Sequence, residues 1–511
     1  GIRMSEGIFF IAGKNAARPS DPVWIMTVFR QAMRYRASFS VELRNTIRQG
    51  IETLSVDDFK SPEVGGIFRE ILAFEGPVGH VFLLMHETGA LSRIIPQFED
   101  LTCKVEYDSY HEFTVDQHIL MSLVASDELS RERDGIIGKV YRDCTGTMLL
   151  RLGLLLHDIG KALPGDHVVN GAIIAETVCE RLGLDEDEVR RVRMLIYHHL
   201  DMSELTLHRE PEAHLLARFA AVLEDRKNLD LLYLLTVLDI RSVGRNTWTS
   251  WKAYQLEQLY KSLRKRFDTP EGALSAQGAH EDAGMPSYER DTLAEDRQRH
   301  KKWLEGLAPF GIQIHCEGFH GFERLTVCGW DRMGFLRDII GCISSEGYNI
   351  LSAHIYSMPD EKVLDIFSVE PPRLPAIPDE KRVRNLYAKW NGIISGAASA
   401  EALIAERLRL YPLKQLRPKQ RRAEPRVEVD TSSSPIATII EIRAEDTFGL
   451  LHTIVQSLNK NRVNIRSAHL STRVDRANDV FYVTDEKNDK ITDAAKLQAI
   501  TRDLGQALCA G

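Results

Sequence analysis

An internal repeat in the C-terminal third of the chain limits its fold more than any other feature of the sequence. The repeated segments pair as 331–336 (DRMGFL) with 446–451 (DTFGLL), 349–354 (NILSAH) with 464–469 (NIRSAH), and 365–369 (DIFSV) with 479–483 (DVFYV). The first two pairs share an offset of 115 residues and the third an offset of 114, which needs one deletion in a turn. Two consecutive copies of one fold are the simplest explanation.

Each copy has the pattern of a strand, a glycine-containing turn, a helix and two further strands, which predicts an α+β domain. Alternating segments such as 438–443 (TIIEIR) are typical of strands with one buried face. Gly334 and Gly449 fall in the turn, where the backbone can approach a ligand and helix N-terminal amides can bind a carboxylate. Asp331 and Asp446 lie three residues earlier, where an aspartate can cap the following helix.

A second informative segment is 154–161 (LLLHDIGK), an apolar helical run that ends on two adjacent metal-ligand residue types. The imidazole of His157 and the carboxylate of Asp158 together suit divalent ions such as Mn, Fe or Zn. Gly160 provides a place where the helix can end. Lys161 supplies a cation, either for a phosphate oxygen or as a solvated lysine favoured by the helix dipole.

Histidines are concentrated around this segment, because eight of the 17 fall within residues 111–214. The segment 229–240 (LDLLYLLTVLDI) is apolar nearly all round, as expected for a central buried helix. Asp239 within it needs a partner to offset its desolvation, and a metal ion would serve. We therefore predict an all-helical domain over about 101–267. Its candidate ligands, drawn from separate helices, are His118, His157, Asp158, His199 and Asp239, with His167 as a sixth.

Length, charge and cysteine content bound the class of protein. The 511 residues are enough for three or four domains. A net charge of -8 and a pI near 6.1 argue against a general nucleic-acid-binding surface. The seven cysteines form no C-x-x-C pair, which predicts reduced thiols in a cytoplasm. No apolar run of about 18 residues occurs, so no membrane span is expected.

The arrangement of His118, His157–Asp158 and Asp239 resembles the HD superfamily of metal-dependent phosphohydrolases. Within that superfamily, four segments of the sequence resemble the bifunctional uridylyltransferase/uridylyl-removing enzymes of the nitrogen-signalling protein PII. They are 107–118 (YDSYHEFTVDQH), 157–161 (HDIGK), 165–167 (GDH) and 197–200 (YHHL). The resemblance implies a hydrolase that removes UMP from a uridylylated tyrosine of PII with a divalent metal, Mn or Mg first and Fe or Zn as alternatives. It implies metal ligation by the six candidate residues, with Asp158, Lys161 and His167 in catalytic roles. His199 is chosen as ligand over His198, although the sequence allows either.

The repeated C-terminal module resembles the ACT domain, a ferredoxin-like βαββαβ fold that binds amino acids at the turn between its first strand and first helix. The resemblance implies glutamine as the effector, with Asp331, Gly334, Asp446 and Gly449 as binding residues. Some ACT domains only dimerise or pack, so the sequence leaves open which copy binds. The resemblance also implies that the protein can form a homo-oligomer through its ACT domains.

The predicted fold class is an all-α HD-domain bundle followed by two α+β ferredoxin-like ACT domains. The predicted bounds are a helical region at 1–100, the HD domain with a helical extension at 101–307, ACT domains at 322–400 and 436–511, and a basic linker at 401–435. In the first region, 24–36 and 40–53 have the periodicity of amphipathic helices that would support the HD domain. The Gly-Ser turn and spaced aspartates of a nucleotidyltransferase are not found. We therefore expect hydrolysis and effector sensing from this chain, and the sequence leaves open whether it transfers UMP.

Two other functions fit the same motifs. One is an HD phosphohydrolase that acts on another phosphoester such as guanosine tetraphosphate, since such hydrolases also combine HD and ACT domains. They usually carry one ACT domain and an intervening TGS module, whereas this sequence has two copies and no such module. The other is a non-enzymatic amino-acid sensor, against which the intact set of candidate ligands argues.

Overall fold

The chain folds into two compact units, the first comprising residues 1–206 and 211–270 and the second residues 207–210 and 271–511. The structure, a computed structural model, describes residues 2–12, 19–105, 113–208, 213–244, 247–268, 288, 292, 294–309, 311–332, 334–358, 360–372, 379–410, 425–432, 434, 436–445, 447–473 and 476–510. Among the helices in these ranges, none has the length and apolar character needed to cross a membrane.

Helices form most of the first unit, as predicted. They are α1 (Pro22–Tyr35), α2 (Val41–Glu52), α3 (Pro62–Leu72), α4 (Gly79–Thr88), α5 (Ala90–Ile94), α6 (Phe98–Leu101), α7 (Val115–Leu129), α8 (Gly135–Asp143), α9 (Thr147–Leu156), α10 (His167–Arg181), α11 (Glu186–Tyr197), α12 (Asp201–His208), α13 (Ala213–Leu223), α14 (Arg226–Val243) and α15 (Ser250–Asp268). Also present are two 3-10 helices, Asp57–Phe59 and Ile159–Ala162, and a small sheet of β1 (Ile2–Ser5), β2 (Ile8–Ile11) and β3 (Ser38–Phe39).

Capping residues determine where several of these helices begin. Asp21 caps α1, whose first residue is Pro22. Asp166 caps α10 by accepting hydrogen bonds from two backbone amides, at 2.9 and 3.3 Å. His167 is therefore held at the first position of α10, at the end that faces the candidate site.

Residues 1–100 and the predicted HD region share one hydrophobic core. Helices α1 and α2 coincide with the predicted amphipathic segments. Ile25 and Phe29 from α1 belong to the same buried cluster as Leu155 in α9 and Leu235 in α14. Burial of this apolar surface holds the helices that carry the candidate ligands in fixed positions.

The second unit contains an antiparallel sheet with helices. Its elements are α16 (Ala294–Glu305), β4 (Gln313–Phe319), β5 (Phe322–Trp330), α17 (Phe335–Ser345), β6 (Asn349–Met358), β7 (Lys362–Glu370), α18 (Asp379–Ile394), α19 (Ala400–Leu410), β8 (Arg426–Asp430), β9 (Thr438–Glu445), α20 (Leu450–Lys460), β10 (Asn464–Arg473), β11 (Arg476–Thr484) and α21 (Ala494–Ala510).

The sheet contains eight strands in the order β4-β5-β7-β6-β10-β11-β9-β8. Its first four strands and its last four have mirrored orders, so the two copies of one α+β fold are confirmed. They join where β6 pairs antiparallel with β10, with Ala353 opposite Ala468. Both residues are buried, and the small side chains allow the two repeats to share one core.

The order of elements within each copy differs from the predicted βαββαβ. In both copies the edge strand comes before the first long strand and not after the last helix, which gives ββαββα. In the first copy His320 and Gly321 both have positive φ, 47° and 87°, and form a tight turn that folds β4 back on β5. Because this hairpin occupies the edge beside β5, the final strand of the expected topology has no place there.

The domain bounds also differ from those predicted. Helix α16, assigned to the HD extension, packs on the first repeat, where the ring of Trp303 stacks on that of His315 at 3.7 Å between centroids. The predicted linker 401–435 contains most of α19 and the whole of β8. Both elements belong to the folded second unit, because Ile404 of α19 is buried and β8 pairs with β9. Residues 411–424 of that linker lie outside the described ranges.

Candidate metal centre

All six predicted ligands come together in the first unit. They are supplied by the start of α7 (His118), the end of α9 (His157 and Asp158), the start of α10 (His167), the end of α11 (His199) and the C-terminal half of α14 (Asp239). His118, His157, Asp158 and His199 are each at most 4% exposed. Part of the predicted motif, 107–112, lies outside the described residues.

His118, His157 and Asp239 form the first of two adjoining groups. The Nε2 atoms of the two histidines are 3.1 Å apart. Oδ1 of Asp239 lies 2.9 Å from Nε2 of His118 and 3.5 Å from Nε2 of His157. Lone pairs that converge in this way repel one another unless a proton or a cation lies between them.

The second group consists of Asp158, His167 and His199, in which one donor atom from each residue lies within 4.8 Å of the others. Oδ1 of Asp158 lies 4.0 Å from Nε2 of His199, whereas Oδ2 lies 3.5 Å from Nε2 of His157. The two oxygens of Asp158 therefore face different groups. A carboxylate in this position can serve a pair of metal ions.

Two of the buried imidazoles are oriented by a hydrogen bond from the nitrogen that faces away from the centre. Nδ1 of His157 lies 2.8 Å from the carbonyl oxygen of Leu154, and Nδ1 of His199 lies 2.7 Å from that of Ile196. Because a carbonyl oxygen only accepts, Nδ1 carries a proton in both rings, and Nε2 is the nitrogen that remains for a metal ion. This is the tautomer that a metal-ligating histidine needs.

Sequence reasoning missed Ser242, which orients the third buried ring. Its hydroxyl oxygen lies 3.2 Å from Nδ1 of His118 and 2.7 Å from the backbone carbonyl oxygen of Asp239. The hydroxyl donates to the carbonyl oxygen, so Nδ1–H of His118 donates to the hydroxyl. The spacing of three residues between Asp239 and Ser242 on one helix face is a signal that could have found it.

The electrostatics of the centre favour a divalent cation. Burial alone would raise the pKa of Asp158 and of Asp239, but His157 and the other nearby cationic groups hold both pKa values well below their usual range. Burial alone would lower the pKa of His157, but these two carboxylates raise it to about 9. Burial, with His157 beside it, lowers the pKa of His199. Two carboxylates thus stay ionised in a buried place among imidazoles, a donor set that fits ions such as Mn, Fe or Zn.

Lys161 contacts a candidate ligand directly. Its ammonium nitrogen lies 3.0 Å from Oδ2 of Asp158, and its side chain is 14% exposed. The alternative interpretation of the sequence, in which Lys161 is a solvated lysine at a helix end, therefore does not agree with the structure. The contact leaves the side chain beside the Asp158 carboxylate, at the edge of the centre.

Gly160 is required by the close approach of the 3-10 helix Ile159–Ala162 to α10. A Cβ atom on Gly160 would lie 1.9 Å from the carbonyl oxygen of His167 and 2.4 Å from the backbone nitrogen of Gly171. A side chain cannot fit without moving one of these backbones. The glycine thus does more than end a helix, because the approach brings His167 beside Asp158.

The predicted effector residues lie in equivalent turns of the two repeats. Gly334 and Gly449 have φ values of 82° and 85°, which favour glycine, and each is the N-cap of the following helix. No side-chain hydrogen bond from the described residues caps α17, so Asp331 is not its cap. The backbone amide of Asp331 instead donates to the carbonyl oxygen of Glu361 at 2.7 Å. Asp446 lies outside the described residues.

Comparison with known families gives the class that this fold and centre define. Residues 116–239 match the HD domain, and residues 433–511 match the ACR family N-terminal ACT domain. The chain therefore contains an HD domain and a C-terminal ACT domain, as predicted, and the first repeat has the same fold as the matched one.

The chain is also similar, over most of its length, to bifunctional uridylyltransferase/uridylyl-removing enzymes. It is 28% identical to that of Bradyrhizobium sp. (strain ORS 278) over 506 residues, which cover 91% of this chain and 53% of the relative. It is 28% identical to those of Rhodopseudomonas palustris and Erythrobacter litoralis, covering 96% and 98% of this chain and 56% and 58% of the relatives. The resemblance predicted from its motifs is confirmed. The chain spans just over half the length of these relatives.

Proposed function

We propose that this chain is a metal-dependent phosphodiester hydrolase that releases UMP from a uridylylated tyrosine of PII. The observation that carries the proposal is the meeting of two groups of metal-ligand side chains at Asp158 within an HD domain. UMP esterified to a tyrosine is a phosphodiester, the kind of bond that such a centre suits. Similarity to uridylyltransferase/uridylyl-removing enzymes supports the choice of substrate.

The donor atoms suit two divalent cations, one held by His118, His157 and Asp239 and one by His167 and His199, with Asp158 between them. Of Mn, Mg, Fe and Zn, the four imidazoles favour Mn, Fe or Zn over Mg, which prefers oxygen ligands. A bound cation of this kind lowers the pKa of a water molecule to about 7 and neutralises charge on the phosphodiester.

Two further side chains of the centre would act on the substrate. The ammonium group of Lys161 is held beside Asp158 and can donate a charge-assisted hydrogen bond to a phosphate oxygen. His167 is only partly buried, whereas the other three imidazoles are buried. Its ring is thus the one that an entering phosphodiester meets first.

Regulation by glutamine through the ACT repeats is the second part of the proposal. The N-terminal amides of α17 and α20, which follow Gly334 and Gly449, suit the α-carboxylate of an amino acid. Glutamine can shift activity only if it binds one arrangement of the protein more tightly than another. A homo-oligomer formed through the ACT domains and a cytoplasmic location belong to the same proposal. The seven cysteines, which form no disulfide, fit such a compartment.

The test is UMP release from uridylylated PII with Mn, with and without glutamine. We expect release that depends on the metal, rises with glutamine, and falls below detection in Asp158→Ala. The matched control is Asp57→Ala, since the side chain of Asp57 is 81% exposed in the same unit. This variant should release UMP at the wild-type rate.

Other outcomes would favour the alternative functions. Metal binding without UMP release, together with hydrolysis of guanosine tetraphosphate, would support an HD phosphohydrolase with another substrate. Glutamine binding without any metal binding would support a non-enzymatic amino-acid sensor.

A further inference from the structure

Lys104 connects two segments that carry candidate metal ligands. Its backbone carbonyl oxygen accepts a hydrogen bond from the amide of Val115, the first residue of α7, at 3.0 Å. Its side-chain ammonium donates a hydrogen bond to the backbone carbonyl oxygen of Lys161, in the 3-10 helix that follows Asp158. One residue thus joins the start of α7 to the turn after the His-Asp pair.

Each of these two attachment points lies within a few residues of a ligand. His118 lies in the same first turn of α7 as Val115, and its amide donates to the carbonyl oxygen of Thr114 at 2.8 Å. Lys161 in turn contacts Asp158 through its own ammonium group. Nε2 of His118 and Oδ2 of Asp158 are 3.8 Å apart, so a small shift of either segment changes the spacing of the donor atoms.

Lys104 is itself anchored to the N-terminal helices. Its backbone amide donates to the carbonyl oxygen of Leu101 at the end of α6, at 3.0 Å. Leu101 and Phe98 in α6 are fully buried. The side chain of Lys104 is partly buried and places a cation at the carbonyl end of a 3-10 helix, where positive charge is favourable. Lys104 therefore connects a packed helix to the turn that follows Asp158.

We propose that Lys104 is a positioning residue for the metal centre, which holds α7 and the His-Asp turn at the spacing that a divalent cation needs. The inference rests on the proposed function only in requiring that the centre binds a metal ion. Lys104 lies before residues 116–239, which match the HD domain, so the centre depends on a segment outside that match. Without the ammonium group, the Lys161 carbonyl loses this donor and the turn can move relative to α7.

The test compares Lys104→Met with Lys104→Arg, because Met keeps the apolar stem and Arg keeps the charge. Titration calorimetry with Mn should give a 10- to 100-fold weaker affinity for Lys104→Met, a range typical of residues that orient metal ligands. Lys104→Arg should recover most of this loss. Lys139→Met on α8, where the lysine is exposed, is the matched control and should bind Mn as the wild type does.

A second measurement needs no metal. In the metal-free protein, hydrogen exchange of the amides at 157–162 should be faster in Lys104→Met than in the wild type, with little change in melting temperature. A lower melting temperature with unchanged Mn affinity would make Lys104 a purely structural residue and overturn the inference. Unchanged Mn affinity and unchanged exchange would overturn it as well.

The affinity comparison also separates this inference from the proposed function. If the wild type binds Mn but releases no UMP, the proposed substrate is wrong. The Mn affinity of Lys104→Met still decides the role of Lys104 in that case.

Discussion

Ile404 in α19 packs directly on Gly449 at the start of α20. A Cβ atom on Gly449 would lie 3.3 Å from Cγ2 of Ile404, whose side chain is buried. At the equivalent glycine of the first repeat, Gly334, the three atoms nearest to a Cβ atom would all belong to the end of the flexible Arg337 side chain. Helix α19 therefore makes the two repeats unequal, although their sequences align.

We predict that Gly449→Ala destabilises the second unit more than Gly334→Ala. Both substitutions strain a backbone with positive φ, at a cost of about 1 kcal/mol. Only the new methyl group at 449 also presses on a buried side chain, which adds roughly 1 kcal/mol more. Denaturant unfolding measures both losses. In the double variant Ile404→Ala/Gly449→Ala, the extra loss should be partly relieved, and strictly additive effects would contradict the contact.

We predict that Ser242→Ala weakens Mn binding about 10-fold because the ring of His118 loses the partner of its Nδ1–H. Calorimetric titration of the metal-free protein with Mn measures this affinity. Ser130→Ala is the matched control, since Ser130, the C-cap residue of α7, makes the same kind of hydrogen bond to a carbonyl three residues earlier, at 2.7 Å. Equal Mn affinities for the wild type and Ser242→Ala would show that the hydroxyl does not orient the ring.

We predict that Gly160→Ala lowers the free energy of unfolding of the first unit by more than about 2 kcal/mol and weakens Mn binding. The added methyl group would force the 3-10 helix away from α10 and so separate Asp158 from His167. Thermal unfolding and Mn titration measure the two effects. Gly66→Ala in α3 is the control, because a Cβ atom there meets nothing within 4 Å and should be neutral or slightly stabilising. A wild-type melting temperature for Gly160→Ala would contradict the close packing.

We predict two Mn ions per wild-type chain and one in His199→Gln, because that substitution removes a donor from the second group only. His118→Gln should likewise leave a single ion, in the second group. Asp158→Asn should weaken both sites, since its two oxygens face different groups. Elemental analysis after dialysis measures the stoichiometry. A single ion in the wild type, lost completely in either histidine variant, would replace this description with a mononuclear centre.

We predict that Asp365→Asn stabilises the second unit at neutral pH. Asp365 is 1% exposed, and neither carboxylate oxygen has a hydrogen-bond partner in the described part of the chain. Burial, with a smaller contribution from Asp331, raises its pKa well above the usual range. The carboxyl group of Asp365 therefore binds its proton more tightly in the native state than in the unfolded state. Its contribution to stability is fully present below the unfolded pKa, near 4, and falls by about 1.4 kcal/mol per pH unit as the pH rises toward the native pKa.

Denaturant unfolding of wild type and Asp365→Asn at pH 5 and pH 7 measures this dependence. The advantage of the variant should be larger at pH 7, because the asparagine does not titrate. An advantage that is the same at both pH values would show that Asp365 is not the source of the pH dependence.

The sequence by itself determined the parts of this protein that depend on local pattern. Three such patterns are visible along the chain. They are the 115-residue offset between the repeats, the apolar run that ends at His157 and Asp158, and the lone carboxylate of Asp239 in an apolar helix. Hydrophobic periodicity follows from helix and strand geometry, and a buried carboxylate calls for a partner wherever it occurs. Together with the concentration of histidines within residues 111–214, these patterns were enough to predict both fold classes and the six residues that the structure brings together.

Tertiary structure alone decided which atoms face one another. Three contacts join residues from different elements. Asp158 faces two groups of ligands, Lys104 donates to the Lys161 carbonyl, and Ile404 packs on Gly449. The edge position of β4, and hence the ββαββα order, likewise depends on pairing with β5 in three dimensions. Such contacts arise from close packing of whole elements, and sequence spacing does not encode the angle or distance at which two elements meet.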